Sequence, residues 1–484
     1  MVFILDDANM FGDGNTLVYS RPGYSKYNYL LVPYLLRIVS KGESFFATDP
    51  EEVLLPRLGN VLKENGYSVI SINLRRPNKS NCWNPLSMPY EAYKAGKMDI
   101  CINLLIDIAT NIMTDHSPGR NDDPFWISTS VDLFTGLALV LFKEANNISQ
   151  VNLKSIYHMA QRGFERFSST TIIREYFAKL SGDYDIAENA IYSVMTAPSD
   201  TRSSIVSVLT QKLRSFTSKD EFMSNLSIDD FHLEDIVDHK SAIFLCYEDE
   251  KTTNVPFINI FVRQIYELLV KSRTAKMNCP IYNFVFNCFL TLRPLPEFEN
   301  MMISSSNRSI RMMFDIGSLN LLNRLYGKET AEFIMSFCPI WLITTSRETE
   351  FLNQLESLIK LSKQDETQLL KSPFELADEE VMVVRDGKIP EIFKAQSIAP
   401  IEDDYKHEVH WTSRNKIELF RIDEYVKERI KVEIFNPTEA AVGNLGEAQI
   451  NGIISKIDRK IAELEIQEKL ENAKESSTQD IRNQ

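Results

Sequence analysis

Tyr19-Ser20-Arg21-Pro22-Gly23-Tyr24-Ser25-Lys26-Tyr27-Asn28 follows an apolar run, Thr16-Leu17-Val18, and precedes a stretch with helical spacing over residues 29–39. Strand, loop and helix in that order are the setting of a phosphate-binding loop. The glycines of such a loop let backbone N–H groups close on phosphate, its Lys reaches the β- and γ-phosphates, and its Ser/Thr holds Mg2+. Against G-x-x-x-x-G-K-[ST], the two glycine positions hold Ser20 and Ser25, the lysine is Lys26, and the hydroxyl position holds Tyr27. The candidate nucleotide-binding set is Ser20, Gly23, Ser25, Lys26 and Tyr27, with ATP and Mg2+ as cofactors only if this eroded loop still holds them. The plainer reading of Lys26 is a solvated residue at a helix start.

Working outward, residues 1–92 alternate strand candidates (16–19, 44–47, 67–73) with helices (29–39, 50–65). That alternation predicts a parallel sheet with right-handed crossovers. Asp49 closes the second strand just before Pro50, a residue suited to the first turn of a helix. Asp49 is thus a candidate nucleotide contact at a carboxyl strand end, or simply a helix cap. Residues 93–236 change to apolar spacings of three and four and predict an all-α block, with Asp123-Pro124 as a helix start. Residues 237–400 return to α/β, with strands at 241–247, 281–289, 310–316, 340–344 and 381–384 and a hairpin turn at Asp386-Gly387. The simplest account is one sheet domain with a helical insertion. Residues 401–484 form a charged extension with an apolar seam at Ile450, Ile454, Ile457, Ile461 and Leu464, expected as a docking helix, and an expected disordered tail.

The 484-residue chain carries a net charge of −14, which disfavours a broad, unspecific DNA-binding surface. Its six cysteines form no C-x-x-C pair, so neither a zinc site nor a disulfide framework is expected, and a reducing cytoplasm fits. No signal peptide and no apolar run long enough for a transmembrane helix stand out. His407 and His410 read as a surface pair, and Arg75, Arg76 and Lys79 as a solvated basic loop rather than a DNA or phosphate contact.

The order of these pieces resembles the conjugative coupling proteins of type IV secretion, the TraG/TraD group. The likeness runs through Asn15-Thr16-Leu17-Val18, Asp49-Pro50, Gly66-Tyr67-Ser68-Val69, Trp83-Asn84-Pro85-Leu86, Asp123-Pro124-Phe125-Trp126, Thr201-Arg202-Ser203-Ser204, Lys240-Ser241-Ala242-Ile243-Phe244 and Leu325-Tyr326-Gly327. The resemblance implies a RecA-like P-loop domain, an inserted all-α domain, assembly as a hexamer, and partners in the secretion channel and in relaxase–DNA cargo. No membrane anchor is expected in this chain. It implies a cytoplasmic place, or a peripheral one at the inner membrane face through partners.

The departures fall on the chemistry. The family's Asp-Glu pair after the Walker B strand, which orients Mg2+ and polarises the attacking water, is Asn287-Cys288 here. Glu51-Glu52 replaces Lys-Gly after Asp49-Pro50, Gly317 stands at a glutamine position, and Arg308 keeps a family arginine while Ser306 does not. Arg308 and Arg311 are candidate fingers toward a neighbouring subunit's nucleotide. Cys288 reads as an inert core thiol on a buried strand. The sequence favours a pseudo-ATPase, acting in cargo recognition or beside an active coupling protein in a mixed ring. The alternative is an active DNA-translocating ATPase in which Lys26, Asn287 and Asp315 serve. A decaying remnant of a mobile element is disfavoured by intact apolar periodicity.

Overall fold

The computed structural model describes residues 10–20, 26–114, 123–167, 170–182, 185–273, 279–361, 372–396, 398, 405, 407 and 417–435. The first α/β segment runs β1 (Thr16–Tyr19), α1 (Val32–Ser40), β2 (Ser44–Thr48), α2 (Leu54–Glu64) and β3 (Ser68–Asn73). A helical block follows: α3 (Ser87–Lys94), α4 (Met98–Met113), α5 (Pro124–Glu144), α6 (Leu153–Arg162), a two-strand ribbon of β4 (Arg166–Phe167) and β5 (Thr170–Thr171), then α7 (Ile172–Lys179), α8 (Ile186–Thr196), α9 (Ser199–Thr217) and α10 (Asp220–Asn225). The chain returns to the sheet through β6 (Ser241–Cys246), α11 (Val255–Arg273), β7 (Tyr282–Phe286), α12 (Phe298–Ser305), β8 (Ile310–Ile316), α13 (Leu319–Tyr326), α14 (Lys328–Ser336), β9 (Ile340–Ile343), α15 (Thr349–Leu361), β10 (Glu380–Arg385) and β11 (Glu391–Lys394). A last helix, α16 (Ile422–Phe435), lies in the extension.

Nine strands form one sheet in the order β11-β10-β9-β1-β8-β7-β2-β6-β3. The strands from β9 to β3 pair in parallel, and the β10–β11 hairpin is added antiparallel. The continuous apolar runs are what a sheet covered on both faces requires. One face packs Val18, Phe45, Ala47, Phe244, Val285, Met313 and Leu342 against α1 and α2. The other packs Leu17, Phe46, Ile243, Phe284, Phe286, Phe314 and Ile343 into a core continuous with α11 and the helical block. The β3 edge is covered, since Asn81 Oδ1 accepts from Ser71 N at 2.9 Å and Ser80 Oγ accepts from Asn73 N at 2.8 Å.

Within the expected all-α block, residues 186–217 form two helices, α8 and α9, because Pro198 stands between them. Asp123 caps α5, accepting from Phe125 N at 3.0 Å. Gly136 lets α5 approach α8 closely, for a Cβ there would sit 1.9 Å from Ile191. By length and composition alone α5 would be long and apolar enough to cross a membrane, but 72% of that apolar window is buried in the protein. The seam at Ile450–Leu464 lies outside the described residues.

Past β11, the described residues Ile398 and Tyr405 pack against the core on the α1/α2 face. Ile398 N–H donates to Asn28 O at 3.1 Å. The Tyr405 ring fills the space where a side chain at Gly59 would stand. His407 Nε2 lies 2.8 Å from Asn81 Oδ1, and α16 then packs on α6 and α7.

Candidate nucleotide site

The carboxyl ends of β1, β7 and β8 converge on Ser20 and Lys26, the described residues that flank the loop. β1 continues one residue past its end, where Ser20 N–H donates to Ile316 O at 3.1 Å. Lys26 then opens a widened helical turn, Tyr27–Leu31, in which Val32 N–H reaches back to Tyr27 O. Pro33 explains the widening: it has no N–H to offer the Tyr29 carbonyl, and its ring crowds that carbonyl. The turn aims Lys26 back toward the sheet. Gly23 and Ser25 lie outside the described residues.

Lys26 is not the solvated residue the sequence favours. Its side chain is 14% exposed, and Nζ sits 2.6 Å from Asp315 Oδ2, whose own side chain is 5% exposed. Asp315 lies on β8, beside Val18 of β1 in the sheet register. Its carboxylate also accepts from Ser20 Oγ at 2.7 Å and from Cys288 N at 3.2 Å. Burial disfavours the ammonium, but Asp315 and Cys288 outweigh it and hold Lys26 above its ordinary pKa.

Cys288 corrects a second expectation. It is not in a strand: β7 ends at Phe286, and Cys288 takes a left-handed backbone with φ 55°. Its Sγ is 3.1 Å from Lys26 Nζ. Burial pushes the thiol up to about 11, against the pull of Lys26, so it is neutral near pH 7. The thiol thus lies against the loop lysine and not within a strand.

Tyr27, at the hydroxyl position, and Asn287, at the Walker B position, bond to each other: Asn287 Nδ2 donates to the Tyr27 hydroxyl at 3.1 Å. Thr48 Oγ1 fixes Asn287 by donating to its carbonyl at 2.7 Å. Burial pushes the Tyr27 phenol up, so it too is neutral. Where a working loop gathers a lysine, a hydroxyl and a carboxylate around phosphate and Mg2+, this site holds a spent ion pair and a neutral Tyr–Asn pair. Glu51 adds negative potential at both Tyr27 and Cys288. Among the described residues this donor set does not fit ATP with Mg2+: the lysine is paired with Asp315, and the position of the metal carboxylate holds an amide.

Asp49 does not reach into the site. It is wholly buried, and its carboxylate accepts from Val53, Leu54 and Leu55 N–H groups at 2.9, 2.9 and 3.2 Å. It serves the free N–H groups at the start of α2 from the loop before it, and burial raises its pKa to about 6 against those three bonds. Glu52, at the family's glycine position, keeps a left-handed φ of 54° and pairs with Arg76 Nε at 3.3 Å. Arg308 is not brought to the cluster: it precedes β8 at the opposite strand end and donates to Ser304 O at 2.7 Å. Arg311 is likewise engaged at that end, with Asp13 at 3.3 Å and Glu43 at 3.4 Å. Arg75 is paired with Asp249 and Glu250, so the basic loop is largely neutralised from within.

One participant escaped the sequence reading. Glu348, after β9, accepts from Leu319 N at 2.8 Å, Asn320 N at 2.9 Å and Ser318 Oγ at 3.0 Å, and also from the Tyr19 hydroxyl. A protein carboxylate thus fills the anion-attracting start of α13 beside the loop. No local motif marks Glu348, because its partners come from two other strand ends. Among the described residues, no cluster of metal-ligating side chains occurs.

Residues 16–359 match the family described as type IV secretory system conjugative DNA transfer. Among solved structures, the chain is similar to plasmid coupling protein TrwB in complex with ADP and Mg2+, at 13% identity and TM-score 0.55, over 82% of this chain and 88% of that one. It is similar also to TrwB with the non-hydrolysable ATP analogue ADPNP, at 13% identity and TM-score 0.54, over 79% and 85%. At this identity the likeness speaks to the fold, a RecA-like P-loop sheet with an all-α domain. No curated protein sequence matches the chain. The matched family spans most of the chain and both sides of the helical insertion, and the chain belongs to the conjugative DNA transfer family of type IV secretion.

Proposed function

We propose that this chain is a nucleotide-independent coupling-protein-like component, a pseudo-ATPase that keeps the family's fold as a scaffold for recognition. The observation that carries the reading is the 2.6 Å pair between Lys26 and Asp315. The lysine that would meet the γ-phosphate already holds an internal carboxylate, and Tyr27–Asn287 replaces the groups that would share Mg2+. The domain carries its own substitutes for nucleotide and metal, so its conformation does not wait on either. In this reading it works in the cytoplasm or at the inner membrane face. Its partners are secretion-channel components and a relaxase or relaxase–DNA cargo, and it acts alone or in a homo- or hetero-hexamer with an active coupling protein.

The test is calorimetric titration of the purified chain with Mg2+-ATP, followed by phosphate release with and without single-stranded DNA. The expected result is no heat of binding at micromolar nucleotide and no turnover above buffer. Hydrolysis abolished by Asp315→Asn would overturn the reading and make Asp315 the metal-facing carboxylate of an active translocase.

A further inference from the structure

A cleft of about 750 Å³ opens where the helical block meets the sheet and its covering helix α11. Its walls come from α3 with the loop before it, the turn at Ile148 and Ser149, the return stretch 227–234 that leads toward β6, and Gln264 of α11. It shares no residue with the Lys26–Asp315 cluster. Trp83, Met88, Ile148 and Phe231 form its apolar surface. Ile148 stands 51% exposed there, a large apolar side chain without cover. The volume is that of a ligand pocket rather than of a packing defect, and such pockets favour domain junctions.

The polar lining divides into two sets. The neutral side chains are already engaged within the protein. Asn84 Nδ2 donates to Val151 O at 2.7 Å, and Asn84 Oδ1 accepts from Leu86 N at 3.0 Å. Gln264 Nε2 donates to Pro85 O at 2.9 Å, and its Oε1 accepts from Trp83 Nε1 at 3.0 Å. Ser227 Oγ donates to Met223 O at 2.6 Å. The charged set is all of one sign: Glu91, Asp229 and Glu234 line the cleft, and no Lys or Arg does. Glu91 pairs with Lys94 outside it at 2.7 Å. Asp229 accepts from Asn84 N at 2.7 Å and from Ser87 Oγ. Neither Asp229 nor Glu234 has a Lys or Arg partner among the described residues. Burial raises the Asp229 pKa to about 6, and Glu234 and Asp230 push the same way.

These two sets select the occupant. A peptide brings backbone N–H and C=O groups that need partners once they leave water, and the side-chain amides of the lining have none to give. A bare metal ion needs several ligands around one point, and no group of three metal-ligating side chains occurs among the described residues. An aliphatic polyamine makes neither demand. Its polar groups are all cationic, and its methylene chains match an apolar wall. We propose that this cleft binds an aliphatic polyamine, with Asp229 and Glu234 holding its ammonium groups and Met88, Ile148 and Phe231 packing on its hydrocarbon. Because the walls belong to both the helical block and α11, the bound cation ties the two together.

The test is calorimetric titration of the full chain with spermidine at physiological ionic strength. A single saturable site is expected. Asp229→Asn and Glu234→Gln are each expected to weaken it about 10-fold or more, as for loss of a hydrogen bond to a charged group. Ile148→Ser, which leaves the charge unchanged, is expected to weaken it about 3–10-fold. Asp229 also holds the loop before α3, so the exposed Glu234 and Ile148 carry the test if Asp229→Asn does not fold. None of these changes touches the nucleotide cluster, so the outcome stands apart from the titration with Mg2+-ATP. The absence of saturable heat overturns the proposal. So does binding that Glu234→Gln and Ile148→Ser leave unchanged, or that Mg2+ displaces charge for charge, which is counter-ion uptake by a chain of net charge −14. Tetralysine that binds more tightly than spermidine, and is weakened by the same variants, also overturns it and makes a protein segment the occupant.

Discussion

In two places groups far apart in sequence meet to make a polar contact. At the loop, side chains built into the sheet do so: Asp315 on β8 meets Lys26, and Asn287 after β7 meets Tyr27. At the helical block, the segment leading into α16 does so through Glu418 and Phe420. A carboxylate on a strand paired on both sides cannot leave without breaking the sheet. The segment at the helical block is held by the buried side chains of Phe420 and Ile422 rather than by strand pairing. The difference teaches that one long-range contact is fixed by sheet register and the other by side-chain packing.

The largest expected effect comes from breaking the fixed pair. Asp315→Asn leaves the Lys26 ammonium buried without its charge partner, and losing one partner of a buried pair typically costs about 3–5 kcal/mol. The loss is read by urea denaturation. The double variant Lys26→Met with Asp315→Asn is expected to recover most of it, since no lone charge then remains. A loss under about 1 kcal/mol for the single variant, a value typical of exposed pairs, would make the pair a surface contact and undo the contrast between the two places.

Asp49→Ala comes next. It strips three N–H groups at the start of α2 of their acceptor, at about 1–2 kcal/mol. Asp49 also carries a pH signature. Its pKa is raised from 3.8 to about 6, first by burial, so the native state holds its proton more tightly than the unfolded chain does. Its contribution is full below about pH 4 and is lost as pH rises through about 6. Asp49→Asn is expected to flatten that part of the stability–pH curve, leaving a difference profile confined to the same window.

Tyr27→Phe is smaller. It removes one neutral hydrogen bond from Asn287, for which about 1 kcal/mol is typical. It leaves the apolar filling of the cradle in place, so nucleotide binding is not expected to return. Binding that did appear would show that the Tyr27 hydroxyl, rather than the Lys26–Asp315 pair, closes the site.

The fold was legible because burial writes itself locally. The runs around Phe244 and Phe284 read as two-face-covered strands, the run around Phe45 as a strand, and the Asp386-Gly387 turn as a hairpin, without knowledge of their neighbours. The eroded loop was also legible as a position. Its content was not, because the residue that explains Lys26 stands 289 positions away. Pairwise charge is a property of the folded register, and only the placing of β8 against β1 brings Asp315 to the lysine. Glu348 was missed for the same reason. Cys288 was placed in a strand because Phe284-Val285-Phe286 is followed by another phenylalanine, Phe289. Periodicity does not mark the left-handed residue that ends the run.

The smallest effect tests whether the family backbone outlived the family side chain. Glu52 holds φ 54° where the family has glycine, a conformation that costs an ordinary L-residue about 1–2 kcal/mol. Glu52→Gly relieves that strain, but it frees the unfolded chain and removes the ion pair with Arg76, whose side chain is 53% exposed. An exposed pair of that kind contributes at most about 1 kcal/mol, and the added freedom of glycine takes back roughly 0.5–1 kcal/mol. These ranges combine to a net change between a loss of about 1 kcal/mol and a gain of about 1.5 kcal/mol, centred on a small gain, read as a small upward shift of the urea midpoint at unchanged slope. A loss beyond about 1 kcal/mol would mean that the Glu52–Arg76 pair holds the turn after Pro50 in place. The loop next to Asp49 would then have been rebuilt around its new charge rather than merely tolerating it.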